Sequence, residues 1–331
     1  MSQKIEKPLV SAIIPTHCRP DLVCRAVRGV LNQTYINLEV IVVVDGPEPR
    51  TVSQLKSLSE QRLRVIELQE TVRGSEARNI GVREARGEWV AFLDDDDEWL
   101  PEKIAKQVSL LAQDVHGTNF ISCRIEQRFV GNSSTLPHDF PHPEENWSEY
   151  IYCRGGLLLP STYLVKREVM LAVPFAKGLS SNEDSDWLLR AHAQEALVPA
   201  WLDEKLAVYH CEDDQKRVST NANWRGPLRW ALDNRKTLLT RRAFSYCIVR
   251  LCIPRIRDDR MPIRNSLRLL YTAIVKGAID YRFCNMFFLY MIRFVLLSDD
   301  VRLRFKALAG KLRMKSAYSA VSGMFSNSQM R

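Results

Sequence analysis

The sequence lacks several features that would indicate other kinds of protein. Its eight cysteines form no CxxC pair and have no regular spacing, which predicts free thiols in a reducing cytoplasm and not a disulfide framework. The six histidines do not stand beside them at zinc-ligand spacing. Met1 to Pro8 is polar, so no secretory signal peptide is expected. Neither GxGxxG nor GxxxxGK[ST] is present, which excludes a dinucleotide fingerprint and a P-loop.

Charge is distributed unevenly along the 331 residues. Residues 226–331 carry 21 Lys and Arg against 6 Asp and Glu, whereas residues 1–225 carry 26 against 33. We therefore expect an acidic domain over 1–225 and a basic extension over 226–331 that is mostly helical. Its most apolar stretch, Phe283 to Leu297, includes Arg293 and is shorter than the roughly 20 residues of a spanning helix.

Three interpretations of the basic extension remain open. Aromatic and aliphatic residues interleaved with arginines suit a helix that lies on an anionic membrane surface. A helical bundle that packs on the catalytic domain or on a second subunit of an oligomer explains the same pattern. Nucleic-acid binding is disfavoured, because no binding motif is present and the segments between the charges are apolar.

The first hundred residues alternate strand and helix patterns. Short apolar runs separated by amphipathic segments predict an α/β fold with a parallel sheet and right-handed crossovers. The predicted strands are Leu9–Ile14, Val40–Val44, Leu63–Leu68 and Glu88–Leu93, and the predicted helices are Asp21–Gln33, Thr51–Glu60 and Ser75–Arg86.

Four successive aspartates, Asp94 to Asp97, follow the fourth predicted strand. Carboxylates this close repel one another and are pushed toward protonation unless a cation lies among them. No basic residue interrupts the run, so a divalent cation with oxygen ligands, Mg²⁺ or Mn²⁺, is the economical partner and would itself hold a diphosphate. The alternative is a solvated acidic turn that opens a helix at Pro101.

Polar residues collect where the predicted strands end. Thr16 and Arg19 follow the first strand and Asp45 follows the second, while Arg78 lies on the helix before the fourth. The strand ends of an open α/β sheet share one edge, and ligands bind there. These residues predict one site for a nucleotide diphosphate held through a metal ion and arginine.

Five segments within residues 8–215 resemble the motifs of family 2 glycosyltransferases. The segments are Ile13-Ile14-Pro15-Thr16-x-x-Arg19, Glu39-Val40-Ile41-Val42-Val43-Val44-Asp45-Gly46, Ala77-Arg78-Asn79-x-Gly81, Phe92-Leu93-Asp94-x-Asp96-Asp97-x-Trp99 and Glu183-Asp184-x-Asp186-Trp187-x-x-Arg190. They occur in the family's order and at family-like spacing. The resemblance implies the GT-A fold, a Rossmann-like nucleotide-binding sheet, for the catalytic domain.

The resemblance also implies roles for residues at the donor site. Pro15 and Thr16 are expected to present backbone groups to the nucleotide base and ribose. Asp45 is expected to accept a hydrogen bond from the base ring, and Arg78 to lie near the diphosphate or the base. Arg19 orders the first loop, or else is an exposed surface arginine.

The same resemblance divides the aspartate run by role. Asp94 is expected to face the ribose and Asp96 to bind the metal ion. Asp95 replaces the small residue commonly found inside this DxD motif, so the metal ligand can shift by one place. Asp97 caps the following helix or approaches the sugar. His210 is a candidate metal or phosphate contact, with a plain strand-end histidine as the alternative.

A second acidic group, formed by Glu183, Asp184 and Asp186, supplies candidates for a general base. The resemblance places the base at Asp184, with Glu183 as the reserve and Asp186 as a support for the helix. The predicted helix Trp187–Ala196 follows them, and acidic residues at a helix N-terminus also have a structural explanation. Gly155–Gly156 is expected to form a flexible loop that closes over donor or acceptor.

The expected function is that of an inverting, metal-dependent glycosyltransferase. Its partners would be a nucleotide-diphosphate sugar donor and a carbohydrate or lipid-linked sugar acceptor, in surface polysaccharide or glycolipid synthesis. The expected location is the cytoplasm, with peripheral attachment to the inner face of the plasma membrane as one version. A nucleotidyltransferase and a catalytically inactive nucleotide-sugar-binding or scaffold protein are the alternatives.

Overall fold

A single sheet of nine strands forms the centre of the protein. The computed structural model describes residues 7–111, 117–179, 181–211, 224–253, 255 and 262–291. The strands are β1 Val10–Thr16, β2 Leu38–Val44, β3 Leu63–Glu67, β4 Trp89–Phe92, β5 Glu98–Trp99, β6 Phe120–Phe129, β7 Asn132–Leu136, β8 Leu164–Lys166 and β9 Pro199–His210.

Eleven helices in the described residues flank this sheet. They are α1 Pro20–Leu31, α2 Pro49–Lys56, α3 Arg73–Glu84, α4 Lys103–Leu111, α5 Trp147–Glu149, α6 Arg167–Ala172, α7 Glu183–Ala193, α8 Arg225–Asn234, α9 Arg241–Cys247, α10 Pro262–Lys276 and α11 Tyr281–Met291. Turns of π-helix continue α5 through Tyr150–Arg154 and α9 through Ile248–Cys252.

The sheet order is β3-β2-β1-β4-β8-β6-β9-β5, with β7 paired to β6. The first four strands are parallel, and Ile13 of β1 lies between Ile41 of β2 and Phe92 of β4. Helices cover both faces, so every residue of β2 is buried, which is why the strand is one continuous apolar run. The predicted α/β class and the first four strands are confirmed.

Two hydrophobic clusters lie on opposite faces of the sheet. One contains side chains of α1, α2 and α4, including Val27, Leu55 and Ile104. The other contains α3, α6 and α7 together with the described helices of the extension, and Trp187 and Trp230 belong to it. The division at residue 225 stays a prediction, but these C-terminal helices share one core with the sheet.

Two sequence-based expectations concern α7 and a glycine pair. The helix expected to begin at Trp187 begins at Glu183, so the acidic residues form its first turn. The pair Gly155–Gly156 serves close packing, because a Cβ on Gly156 would lie 2.3 Å from the Tyr150 ring and Gly155 has φ +79°. Close packing and a left-handed backbone account for these two glycines, and the flexible closing loop expected for them stays a prediction.

The basic extension is described only through residue 291, apart from the gaps given above. Within the described residues, no helix has both the length and the apolar composition needed to cross a bilayer. The part of the apolar stretch after Met291, and the rest of the extension that was expected to be mostly helical, lie outside the described residues.

Candidate active site

The aspartate run lies at the carboxyl ends of β1 and β4. Leu93 still bonds to the neighbouring strand, through its N–H to the Ile13 carbonyl, and the chain then turns. Side chains alternate in exposure through this turn. Those of Asp94 and Asp96 are 32% and 28% exposed, whereas Asp95 and Asp97 are buried. The first and third aspartates therefore face the open side of the sheet edge.

Asp95 is held by the loop that follows β1. Thr16 Oγ1 donates to Asp95 Oδ2 at 2.8 Å, and Arg19 Nη1 donates to Asp95 Oδ1 at 2.9 Å and to Asp96 Oδ2 at 3.0 Å. Burial raises the pKa of Asp95 to about 6, against the opposing effect of the Arg19 charge. Arg19 is therefore a bridge inside the site and not an exposed surface arginine.

Arg78 joins the two groups of acidic residues. Its guanidinium group pairs with Asp94 and lies 3.7 Å from the Glu183 carboxylate, although its side chain is only 7% exposed. Burial opposes the charged form of this group, but the Asp94 and Glu183 carboxylates outweigh burial and raise the pKa of Arg78. A buried arginine thus brings the start of α7 to the end of β4.

Asp184 lies in the first turn of α7 and is partly exposed. Burial and the neighbouring charge of Glu183 raise the pKa of Asp184 to about 7, while its acceptance of the Ser185 N–H at 2.7 Å acts in the opposite direction. A carboxylate with a pKa near neutrality can take a proton from a hydroxyl and still be ionised in a useful fraction of molecules. The chemistry predicted for this position fits its surroundings.

Asp97 is buried and does not cap a helix, because β5 follows it directly. Its Oδ2 accepts from Ser161 Oγ at 2.5 Å, and the Asp94 N–H donates to the same hydroxyl at 3.2 Å. Ser161 thereby ties the aspartate turn to the segment before β8. Its role was not predicted, since nothing in the sequence distinguishes it from neighbouring hydroxyl residues.

Asp45 follows β2 and is buried by the start of α3. Its carboxylate accepts the N–H groups of Val72 at 2.6 Å and Arg73 at 2.9 Å. A contact with a nucleotide base stays a prediction for this residue, and so does the one for Pro15, which lies in β1 opposite Val43.

His210 ends β9, next to β5. Its Nε2 lies 3.4 Å from the Glu98 carboxylate, and Glu98 follows the aspartate run directly. The histidine is therefore placed at the border of the site. Its contact with metal or phosphate stays a prediction.

The donor set of the aspartate turn fits a hard divalent cation. Asp94 and Asp96 offer carboxylate oxygens on the open side, and Mg²⁺-type ions use one or two carboxylates, with substrate phosphates and waters completing their shell. Arg19 and Arg78 neutralise part of the charge of the run, since Arg19 pairs with Asp95 and Asp96 and Arg78 pairs with Asp94.

The C-terminal extension contacts α7, the helix that carries Asp184, and holds it in position. Trp230 Nε1 of α8 donates to Asp186 Oδ1 at 2.8 Å, and Arg190 Nε donates to Asp186 Oδ2 at the same distance. Asp186 and Trp230 are both buried. The predicted helix-supporting position of Asp186 agrees with this geometry, while its indole partner was missed because the two residues are far apart in sequence.

Comparisons with known proteins give a consistent result. The sequence profile described as Glycosyl transferase family 2 matches residues 11–162. An uncharacterized glycosyltransferase from Haemophilus influenzae is 29% identical over 216 residues, which cover 65% of this chain and 72% of the relative. The amylovoran biosynthesis glycosyltransferase AmsB of Erwinia amylovora is 25% identical over 78% of this chain and 87% of its own length.

A third relative has a more specific name. It is the UDP-Glc:alpha-D-GlcNAc-diphosphoundecaprenol beta-1,3-glucosyltransferase WfgD of Escherichia coli, which is 30% identical over 41% of this chain. The match spans only 52% of WfgD, about half its length.

Two solved structures share the fold. The S. aureus TarS 1-349 complex with UDP-GlcNAc has a TM-score of 0.57 at 16% identity and covers 86% of this chain and 91% of TarS 1-349. The mannosyltransferase PcManGT of Pyrobaculum calidifontis, in complex with GDP-Man and Mn²⁺, has a TM-score of 0.53 at 15% identity and covers 97% and 85% of the two chains.

Proposed function

This chain belongs to glycosyltransferase family 2 and has the GT-A fold, and from that premise we propose that it moves a sugar from a nucleotide-diphosphate donor to an acceptor hydroxyl with inversion. The observation that carries this proposal is the position of Arg78 between Asp94 and Glu183. Arg78 brings two groups to one edge of the sheet: the aspartate turn, where the donor is expected, and the carboxylates of Glu183 and Asp184, where the base is expected.

The donor occupies the edge formed by the loop after β1, Asp45 and the aspartate turn. The base and ribose lie near Pro15, Thr16 and Asp45, and the diphosphate near Arg78 and Asp96. Arginine groups suit this position because their planar fork matches an anionic oxygen pair. The nucleotide sugars bound by TarS and PcManGT support a donor of this chemical class.

A divalent cation, Mn²⁺ or Mg²⁺, is proposed to bind Asp96, with His210 as a further candidate ligand. When bound, it supplies fixed positive charge for the negative charge that develops on the departing diphosphate. Asp94 faces the ribose. Thr16 and Arg19 hold Asp95 in place, and through it the geometry of the turn.

The acceptor hydroxyl transfers its proton to Asp184. Its oxygen then forms a bond to the anomeric carbon while the bond from that carbon to the diphosphate breaks on the opposite face, so the configuration inverts. A single base is sufficient for this reaction because no carboxylate has to act as a nucleophile. Glu183 is the second candidate for the base. Because Glu183 contacts Arg78, Asp184 is the more suitable group.

The acceptor is proposed to be a lipid-linked sugar used in surface polysaccharide synthesis. WfgD is named for a diphosphoundecaprenol acceptor and AmsB for amylovoran biosynthesis, and both names support this class of acceptor and pathway. A lipid-linked acceptor lies in a membrane, so we place the proposed reaction at the cytoplasmic face of a membrane.

Helix α10 supports membrane contact because it has apolar residues on two sides. Leu269 and Ala273 are buried in the core, while the side chains of Leu267, Tyr271, Ile274 and Val275 are exposed. The exposed positions follow the i, i+4, i+7, i+8 spacing of one helix face. The exposed Arg268 and Lys276 on the same helix add charge of the sign that anionic lipid attracts.

The membrane proposal is tested by flotation with anionic liposomes. The double variant Leu267→Glu/Ile274→Glu should lose most binding, whereas Val130→Glu, at an exposed hairpin position, should retain it. High salt should release only part of the wild-type protein, since apolar burial is not screened. Equal flotation of all three proteins would refute the proposal. Truncation after residue 225 is unsuitable as a test because it removes Trp230 from the shared core.

The catalytic proposal is tested by the metal variant and the product. Asp96→Asn should abolish transfer and remove the Mn²⁺ dependence of nucleoside diphosphate binding, with the far-UV circular dichroism unchanged. NMR of the product made from a donor of known anomeric configuration should show inversion. Unchanged Mn²⁺-dependent affinity would remove Asp96 from the metal role, and a retained configuration would refute the single-base reaction. The paired carboxylate sites weigh against an inactive scaffold, and the family weighs against a nucleotidyltransferase.

A further inference from the structure

Three side chains with metal-binding atoms meet beside the donor edge, outside the aspartate turn. His17 and Cys18 lie in the loop between β1 and α1, and Glu48 directly precedes α2. One ligand atom from each residue lies within 4.8 Å of the other two. The glycosyl transfer proposed above uses none of these residues.

The spacing of two of these atoms matches a tetrahedral site. His17 Nε2 and Cys18 Sγ are 3.7 Å apart. Zinc binds imidazole nitrogen at about 2.0–2.1 Å and thiolate sulfur at about 2.3 Å, so two such ligands at a tetrahedral angle are about 3.5 Å apart. A small rotation of either exposed side chain closes the difference.

Hydrogen bonds orient the histidine for metal binding. Its Nδ1 lies 2.8 Å from the Asp45 carbonyl oxygen, which accepts a proton and so fixes Nδ1 as the donor nitrogen. The lone pair is then on Nε2, the atom that faces Cys18 Sγ. Ligating histidines commonly donate their second nitrogen to a backbone carbonyl in this way.

Glu48 has three side-chain contacts, one of them to His17, whose Nδ1 lies 3.3 Å from Glu48 Oε1. Its Oε1 accepts the Cys18 N–H at 2.7 Å, and its Oε2 accepts Thr51 Oγ1 at 2.7 Å. Cys18 has φ 54°, a backbone conformation that a residue with a side chain seldom adopts. Such strain collects at functional sites.

We propose that His17, Cys18 and Glu48 form a binding site for a borderline-soft divalent cation of the Zn²⁺ type, separate from the oxygen site at Asp96. Thiolate and imidazole ligands select such ions over Mg²⁺ and Mn²⁺. Both His17 and Cys18 are exposed, so water completes the coordination shell.

Occupation of this site has a consequence for the donor, which rests on the proposed function. Thr16 and Arg19 flank the ligating pair and hold Asp95 and Asp96. A cation on the loop fixes its conformation beside the expected position of the nucleotide base. We therefore expect Zn²⁺ to change the affinity for a nucleoside diphosphate.

The site is tested on the metal-stripped full-length protein by competition of Zn²⁺ with a chromophoric chelator and by absorption after Co²⁺ addition. One equivalent of Zn²⁺ should bind, and Co²⁺ should give a near-ultraviolet thiolate charge-transfer band. Cys18→Ser should abolish the band, and His17→Asn and Glu48→Gln should weaken Zn²⁺ binding about 10- to 100-fold. Cys284→Ser, which alters an exposed thiol on α11, should change neither result.

Persistence of the cobalt band in Cys18→Ser, or unchanged Zn²⁺ affinity in His17→Asn, would overturn the site. Zn²⁺ that binds at this site and leaves nucleoside diphosphate affinity unchanged would overturn only its effect on the donor. Failure of the protein to transfer any sugar would refute the proposed function and leave both metal measurements as they stand.

Discussion

Replacing Asp184 with Asn tests the proposed base through activity and stability together. Asparagine keeps the size of the side chain but cannot accept a proton at neutral pH, so transfer should fall by about 10²-fold or more. Donor binding should be nearly unchanged, because Asp184 acts on the acceptor.

The wild-type pH profile should report the same residue. With a pKa of about 7, Asp184 is ionised in roughly one molecule in ten at pH 6, so kcat/KM should fall about tenfold from its plateau. A carboxylate at the ordinary value of 3.8 would give no change over this range.

Stability should change in the opposite direction from activity. The pKa of Asp184 is higher in the folded protein than in the unfolded chain, so the folded state binds more protons and wild-type stability falls between about pH 4 and pH 7. The full shift corresponds to about 4 kcal/mol, and partial exposure reduces the expected effect to about 1–2 kcal/mol. Asp184→Asn avoids this loss, so its Tm should exceed that of the wild type by about 2–4 °C at pH 8 and by less at pH 5.5.

Asp186→Asn is the matched control, with the same chemical change on the same helix turn. It weakens contacts with Trp230 and Arg190, so its Tm should fall. The assays are the initial rate of sugar transfer from pH 5.5 to pH 8 and thermal unfolding at pH 5.5 and at pH 8. A flat rate profile, or an Asp184→Asn variant less stable than the wild type at pH 8, would refute the reasoning. If Glu183→Gln is inactive and Asp184→Asn is not, the base is Glu183.

Three further substitutions, one of them with a control variant, test contacts that position the site. Trp230→Phe removes a hydrogen bond to the buried Asp186 carboxylate and should lower the free energy of unfolding by about 1.5–3 kcal/mol in urea titrations; a loss below about 0.5 kcal/mol would contradict its role. Gly156→Ala places a Cβ 2.3 Å from the Tyr150 ring and should lower the free energy of unfolding by about 1–3 kcal/mol. In the control Gly29→Ala the new Cβ lies 3.8 Å from its nearest neighbours, so the free energy of unfolding should not fall. Asp45→Asn replaces one of two oxygens that accept backbone N–H groups and should cost about 1–3 kcal/mol, measured in the same titrations; unchanged stability would show that these bonds are not formed.

Much of the fold was predictable because each of the first four strands is marked by its own run of apolar residues in the sequence. Val40–Val44 is an uninterrupted apolar run of strand length, and it lies inside β2, which is buried throughout. The start of α7 was not predictable from side chains, because Asn182 precedes it with φ 68° and forms no side-chain cap. Acidic residues ahead of an apolar helix pattern therefore looked like a loop.

The candidate site was predictable in most of its residues and not in how they pair. Asp94 and Asp96 follow a strand that the sequence identifies, so their place at the sheet edge follows from topology. Arg19 reaches Asp95 across 76 residues of sequence, and Trp230 reaches Asp186 across 44. Such pairs depend on tertiary packing, which has no signature in a single sequence. For the same reason the extension looked separable although it shares the core.

Arg19 and Arg78 pair with the aspartate turn, so the sheet edge proposed to bind the donor already holds positive charge that a metal ion can exchange. The two arginines act as internal counter-ions of the turn, so a dication at the proposed site on Asp96 would displace the Arg19 guanidinium group from it. The displaced positive charge stays at the edge, where the donor's phosphate oxygens can take it up. Metal ion and nucleotide should then strengthen each other's binding by an equal factor, as thermodynamic linkage requires. The two arginines offset part of the charge of the four aspartates, which leaves net negative charge at this edge for a dication to meet.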